Sequence, residues 1–243
     1  MLAVETKGLT KQYKDLTAVD SLDLCVNEGE LFSLLGVNGA GKTTTVRMLS
    51  CLSDATSGEA YVMGKNCRTE KADVKSLIGI SPQDTAVAER LTAEENLMFM
   101  SRVYGFDEAK CKARTEELIE MFGMQNVRSK RAKTLSGGWK RKLSIAMALI
   151  GEPKVLFLDE PTLGLDVLAR RELWRAIEQL KSKMTIILTT HYMEEAEQLS
   201  DRIAIMIEGR LAALGTLAEI EQQAGEKGLE NAFVAIAERG AAK

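Results

Sequence analysis

Nine consecutive residues, Gly36-Val37-Asn38-Gly39-Ala40-Gly41-Lys42-Thr43-Thr44, constrain this chain more than any other stretch. Gly36, Gly41, Lys42 and Thr43 fall at the fixed places of the phosphate-binding pattern G-x-x-x-x-G-K-[ST]. Glycines let the backbone close on a ligand and turn a row of N–H groups inward as an anion nest. Lys42 adds a positive charge that reaches outer phosphates, and the Thr43 hydroxyl suits Mg²⁺. The flanks fit the motif. Leu31-Phe32-Ser33-Leu34-Leu35 is an apolar run of strand length, and Thr44 to Leu52 reads as a helix whose N-terminus favours phosphate.

Upstream, Leu22, Leu24 and Val26 alternate with Ser21, Asp23 and Cys25, the spacing of a strand with one buried face. Asn27-Glu28-Gly29-Glu30 is a turn signal. Tyr13 lies in the polar stretch from Lys11 to Asp15. Its ring either stacks on a base or sits half-buried at the surface. Beyond the loop helix, Thr56 to Gly64 reads as turn, strand, turn, and Leu77-Ile78-Gly79-Ile80 as a strand that stops at Pro82. Gln83 then stands at a strand end, where its side chain can face a ligand.

From Thr92 to about Ile150 the pattern is helical. Thr92-Ala93-Glu94-Glu95 is a capping box ahead of Asn96 to Met100, and a second helix is expected from Asp107 to Phe122. The basic run Arg128 to Lys133 reads as a solvated loop. Met98, Met100, Met121 and Met124 read as core. Ser136-Gly137-Gly138 precedes an apolar helix expected from Leu143 to Ile150. It is either a plain N-cap or a second phosphate-binding helix start.

Val155-Leu156-Phe157-Leu158 is continuously apolar, as a strand buried on both faces requires, and it ends in Asp159-Glu160. Adjacent carboxylates there are costly unless they serve a cation or a reaction. Ligands of open α/β sheets bind at strand C-terminal ends, so Asp159 is placed to hold Mg²⁺ and Glu160 to act as general base. A helix is expected from about Val167 to Leu180. The strand Met184 to Thr190 ends at His191, the one histidine in the chain. Ile203 to Ile207 and Arg210 to Leu214 form a hairpin pattern, and Thr216 to Lys243 reads as helical with a frayed end.

Composition excludes several classes. With 45% hydrophobic and 28% charged residues this is an ordinary globular chain, and a net charge of −3 gives no drive toward nucleic acid or an anionic membrane. The four cysteines form no C-x-x-C pair and read as reduced thiols of a cytosolic protein. The first residues lack a signal-peptide layout, and no apolar run approaches the roughly 18 residues of a membrane span. Action at a membrane therefore calls for a separate membrane partner.

Taken in order, these motifs resemble the nucleotide-binding subunit of an ATP-binding cassette (ABC) transporter, from about residue 4 to about residue 235. The resemblance implies an α/β P-loop NTPase: a RecA-like parallel sheet core with an N-terminal antiparallel β subdomain and an inserted α-helical subdomain. Residues 1–84 and 151–225 would form the β subdomain plus core, 85–150 the helical subdomain and 226–243 a C-terminal tail, within one domain spanning 1–243. By position, Tyr13 matches the adenine-stacking aromatic. Gly36, Asn38, Gly39, Ala40, Gly41, Lys42, Thr43 and Thr44 match the Walker A residues on the phosphates. Gln83 matches a glutamine that touches Mg²⁺ and signals to the membrane domain. Leu135, Ser136, Gly137 and Gly138 match the signature that meets the partner subunit's ATP. Asp159 and Glu160 match the Walker B aspartate and catalytic glutamate, with Thr43, Gln83 and Asp159 around the metal. Asp166 matches the loop that crosses the dimer interface, and His191 the switch histidine. Trp139 departs from the family, where many members carry glutamine. It either changes the geometry beside the nucleotide or packs against the neighbouring helix.

Thr190 to Glu197, Gly215-Thr216 and Leu229 to Phe233 look like type-2 exporters, the group of drug- and antibiotic-export ATPases. The implied protein hydrolyses ATP, with Mg²⁺ as cofactor, to power export through a separate transmembrane permease. It would work as a head-to-tail, ATP-dependent homodimer at the cytoplasmic face of the membrane, without nucleic acid. The rival is a soluble ABC-type ATPase of DNA maintenance or translation. The first kind carries a long coiled coil between loop and signature, and Lys42 to Ser136 shows no heptad array. The second carries two cassettes, and this chain has one.

Overall fold

The computed structural model describes residues 1–181 and 183–241. The last two residues of the tail read as helical, Ala242 and Lys243, lie outside the described residues, as does Ser182.

Two sheets organise the chain. The first is antiparallel and four-stranded: β1 (Leu2–Tyr13), β2 (Leu16–Asn27), β4 (Ser57–Val62) and β5 (Lys65–Asn66), in the order β2-β1-β4-β5. Along β2 the alternation seen in sequence is met residue by residue, with Leu22, Leu24 and Val26 buried and Ser21, Asp23 and Cys25 exposed. The second sheet comprises β3 (Leu31–Leu35), β6 (Ile78–Ser81), β7 (Val155–Asp159), β8 (Thr185–Thr190), β9 (Arg202–Ile207) and β10 (Arg210–Gly215), in the order β10-β9-β3-β8-β7-β6. Its strands are parallel except β10, which closes the hairpin with β9. Every residue of β3, β7 and β8 is buried, which explains their unbroken apolar runs.

The helices fill three layers: α1 (Lys42–Leu49), α2 (Lys71–Leu77), α3 (Ala93–Val103), α4 (Glu108–Met121), α5 (Gly137–Ala148), α6 (Val167–Lys181), α7 (Met193–Leu199), α8 (Leu217–Ala224) and α9 (Leu229–Ala241). Strand side chains alternate faces, so one strand feeds two cores. Phe157 and Ile187 join Val46, Met48 and Leu49 of α1 and the inner face of the antiparallel sheet. Leu156, Leu158, Ile186 and Leu188 point the other way, onto α3 to α6. A third core seats α8 and α9 on Leu35, Ile203 and Ile205. Each fully buried Leu, Ile or Phe contributes about 1.5–3 kcal/mol.

Caps set the helix limits. Thr92 and Glu95 form the capping box of α3, Asp107 caps α4, and Thr216 with Glu219 form a second box on α8. One expectation needs correction and another is refined. The helix expected from Leu143 starts at Gly137, because Ser136 accepts the Trp139 N–H and caps it earlier. The basic run is solvated as expected at Ser129, Lys130, Arg131 and Lys133, but it is also tied down. Arg128 pairs with Glu94 at 2.5 Å and Glu116 at 3.1 Å, Arg131 bridges back to Thr92, and Ala132 is fully buried.

Candidate active site

The loop between β3 and α1 has no freedom to relax. Gly41 sits at φ +98°, and a Cβ there would lie 2.5 Å from the Ala18 carbonyl. At Gly36 a Cβ would collide with the Met206 carbonyl and with Ala40. The Gly36 N–H donates to Thr190 O at 3.2 Å, which ties the loop to the end of β8.

Lys42 is buried, and its ammonium points back over the loop. It donates to Gly36 O at 2.7 Å and Val37 O at 3.2 Å, and it pairs with Glu160 Oε1 at 3.3 Å. Asp159, also buried, accepts from Thr43 Oγ1 at 3.1 Å and Thr189 Oγ1 at 2.5 Å. Glu160 follows in a left-handed conformation, φ +47°, which strains a residue with a Cβ by about 1–3 kcal/mol. Its N–H donates to both the backbone and side-chain oxygens of Thr189, at 3.1 and 3.0 Å, and these bonds hold the turn. The turn sends the carboxylate between Lys42 and His191, whose Nδ1 shares a 2.6 Å hydrogen bond with Glu160 Oε2.

Around these groups lies a cleft of about 480 Å³. It is lined by Asn38 to Thr44, by Gln83, Glu160, Leu163 and His191, and by Tyr13, Leu16 and Ala18. Tyr13 is 43% exposed at the rim of this cleft, with the Lys11 ammonium over its ring 4.9 Å from the centre. Thr43, Asp159 and Gln83 offer only oxygen ligands. Among the described residues no group of three or more His, Cys, Asp or Glu gathers. A sparse oxygen set suits Mg²⁺, which keeps waters and substrate phosphates in its shell. An anion cradle facing a carboxylate and an imidazole can hold a polyphosphate and activate water against its terminal group.

Two expected groups lie outside this cleft. Leu135 to Gly138 open α5, where a Cβ on Gly137 would meet Leu165 at 3.6 Å and one on Gly138 would meet Ala169 at 3.1 Å. Asp166 accepts from the Leu168 and Ala169 N–H groups at 3.0 Å and caps α6. Trp139 packs half-buried against the helical core, with the Lys142 ammonium 4.5 Å from its ring centre.

Sequence reading missed Arg141. On α5 and nearly fully buried, its guanidinium donates to four main-chain carbonyls: Pro161 at 2.8 Å, Asp159 at 2.5 Å, Gln83 at 3.2 Å and Pro82. Burial pushes its pKa down to about 10, against the pull of Asp159, Glu195 and Glu160. One charge therefore links the helix behind Ser136 to the loops bearing Gln83 and Glu160. Its signal was available, because position 141 falls on the apolar face of α5, one turn before Ile145.

The chain is similar to several known proteins. The family model described as ABC transporter matches residues 19–163. The daunorubicin/doxorubicin resistance ATP-binding protein DrrA of Streptomyces peucetius is 43% identical over 224 residues, covering 92% of this chain and 68% of that protein. The human phospholipid-transporting ATPase ABCA3 is 41% identical over 91% of this chain, which spans 13% of the ABCA3 length. A dimeric, post-hydrolysis ATP-binding cassette bound to ADP and phosphate superposes with a TM-score of 0.80 at 25% identity, covering 88% of this chain and 98% of that one.

Proposed function

The chain belongs to the ABC transporter family and is an ATP-binding, ATP-hydrolysing cassette, and from that premise we propose that it powers export of a substrate through a separate membrane permease. The supporting observation is Glu160, held between Lys42 and His191 at the open end of β7. ATP lies with its adenine on Tyr13 and its phosphates over Gly36 to Thr44. The phosphates take the hydrogen bonds that Lys42 now gives to Gly36 and Val37. Thr43, Asp159 and Gln83 would hold Mg²⁺, whose charge when bound offsets that of the phosphates. Glu160 accepts the proton of the attacking water as its oxygen bonds to the γ-phosphorus and the bond to the β–γ bridging oxygen breaks. His191 orients Glu160 and lies within reach of the γ-phosphate. The products are ADP and phosphate.

Ser136, Gly137, Gly138 and Asp166 do not line the chain's own cleft, which supports a second copy arranged head to tail. That pairing is isologous, so both sites are completed by the same contacts. ATP closes the dimer because only the closed form uses both sets of phosphate contacts. Glu160→Gln should bind ATP, lose turnover and accumulate as a dimer in size-exclusion chromatography. Undiminished turnover would refute the assignment of Glu160.

Among the described residues no helix is long and apolar enough to cross a membrane. A groove of about 430 Å³, lined by Ile80, Pro82, Met100, Tyr104 and Met147, lies beside Gln83 between β6 and the helical layer of residues 85–150. It is suited to receive the permease, which would hold the cassette at the cytoplasmic face. The names of DrrA and ABCA3 support the transport reading over the DNA-maintenance and translation readings, and the net charge of −3 supports a partner other than nucleic acid. Affinity capture from solubilised membranes tests this. A stoichiometric multi-span protein is the expected result, and recovery with ribosomal or DNA-bound proteins alone would overturn it.

A further inference from the structure

Glu195 lies on the first turn of α7, four residues after His191, and is fully buried. Its Oε1 accepts from the indole Nε1 of Trp174, on α6, at 3.0 Å. The hydroxyls of Thr190 and Thr162 lie beside the carboxyl. Both neighbours belong to the hydrolytic wall. Thr190 directly precedes His191, and its Oγ1 accepts the Tyr192 N–H at 3.0 Å, bracing the turn that carries the imidazole. Thr162 follows Glu160 by two residues and is itself fully buried. One carboxyl thus touches the base of both the His191 turn and the Glu160 loop.

We propose that Glu195 is a positioning residue for hydrolysis, a buried and neutral carboxylic acid that locks the His191 turn to the loop following Glu160. The proposal rests on the roles given above to Glu160 and His191. Neutrality follows from the surroundings. Among the described residues no cation pairs with Glu195. The charged groups near enough to act on it are Glu160, which opposes its ionisation, and Arg141, whose N–H groups are committed to main-chain carbonyls. The helix start of α7 favours an anion, but a two-turn helix offsets little of the desolvation. Burial pushes the carboxyl up, with a smaller push from Glu160, against the pull of the Trp174 N–H and the nearby Thr190 and Thr162 hydroxyls. Two buried oxygens, Glu195 Oε2 and Thr162 Oγ1, have no hydrogen-bond partner among the described residues. A proton on Oε2 gives Glu195 a donor to direct at that hydroxyl. An ionised Glu195 would instead place a second negative charge behind Glu160 and hold its proton too tightly for release.

The test compares the full chain with Glu195→Gln and Glu195→Ala for ATP turnover, ATP affinity and the infrared spectrum at neutral pH. Glutamine is neutral and isosteric, so Glu195→Gln is expected to keep kcat within about threefold of the starting protein. Glu195→Ala frees the His191 turn and is expected to lose about a hundredfold in kcat with ATP affinity unchanged. A protonated-carboxyl carbonyl band is expected in the starting protein and is lost in Glu195→Gln. Equal losses in Gln and Ala would show that an anion is needed, full turnover in Ala would show that nothing is positioned, and a band persisting in Gln would place the proton elsewhere. Each of these results overturns the proposal. Where Ala does not fold, the Gln kinetics and the band still decide. Failure of the Glu160 assignment is read separately, from Glu160→Gln turnover, and leaves the Glu195 band untouched.

Discussion

Arg141→Met removes four hydrogen bonds to buried carbonyls in one step, those to Pro82, Gln83, Asp159 and Pro161. Bonds from a charged donor contribute about 1.5 kcal/mol each at the low end of their range, so the gross loss is about 6 kcal/mol. Against this stands the burial of a guanidinium. Its pKa falls from 12.5 to about 10, which puts the penalty on the charged form at about 3 kcal/mol. Methionine fills much of the volume and carries no charge, so that penalty is recovered. The net destabilisation is about 3 kcal/mol, equivalent for a chain of this size to a fall in Tm of about 6–12 °C. Urea unfolding followed by circular dichroism measures it, with Arg141→Lys as companion. Lysine keeps the charge but not the fork, and recovers only part of the loss. A Met variant within about 1 kcal/mol of the starting protein would show that the carbonyls are satisfied without the guanidinium. That result would remove Arg141 as the link between α5 and the loops bearing Gln83 and Glu160.

Two further outcomes are expected. In native alkylation read by mass spectrometry, iodoacetamide should modify exposed Cys25 and spare Cys51, Cys67 and Cys111, since all three are buried and burial pushes the Cys67 thiol up to about 12. Glu195 gives stability a pH slope. Its folded-state pKa lies above the ordinary 4.5, so the folded chain holds a proton that the unfolded chain releases. That contribution to stability is full below about pH 4.5 and is lost as pH rises through the folded pKa, while Arg141 stays charged. Urea midpoints between about pH 5 and pH 8 should show the decline, and Glu195→Gln should flatten it.

What could be read from the residues alone follows from how each part is stabilised. β3, β7 and β8 are legible because strands buried on both faces carry apolar or hydroxyl side chains, Asp159 at the end of β7 apart. Asp159-Glu160 stands out because two acids after such a run have no structural excuse. The start of α5 was misplaced by six residues. Gly137 and Gly138 are poor helix formers, and their place is fixed by the Ser136 cap and by close packing on Leu165 and Ala169, which no local pattern reveals. Arg141 and Glu195 were hidden for a shared reason. Each sits in a charged run, Lys140-Arg141-Lys142 or Glu194-Glu195, and is the most buried member of it. Composition reads such runs as surface, and helical phase singles out the buried member. The Arg128 clamp within an otherwise solvated run was not legible, because its partners Glu94 and Glu116 are distant in sequence.

At position 160 folding and chemistry meet. At φ +47° a glycine would rest without strain and an asparagine with little. Either would also forgo the contacts the carboxylate makes with buried Lys42 at 3.3 Å and His191 at 2.6 Å. The strain is therefore repaid locally, because the side chain that activates water also neutralises the lysine beneath the phosphates. A copy of this protein released from selection for turnover would gain little by discarding Glu160.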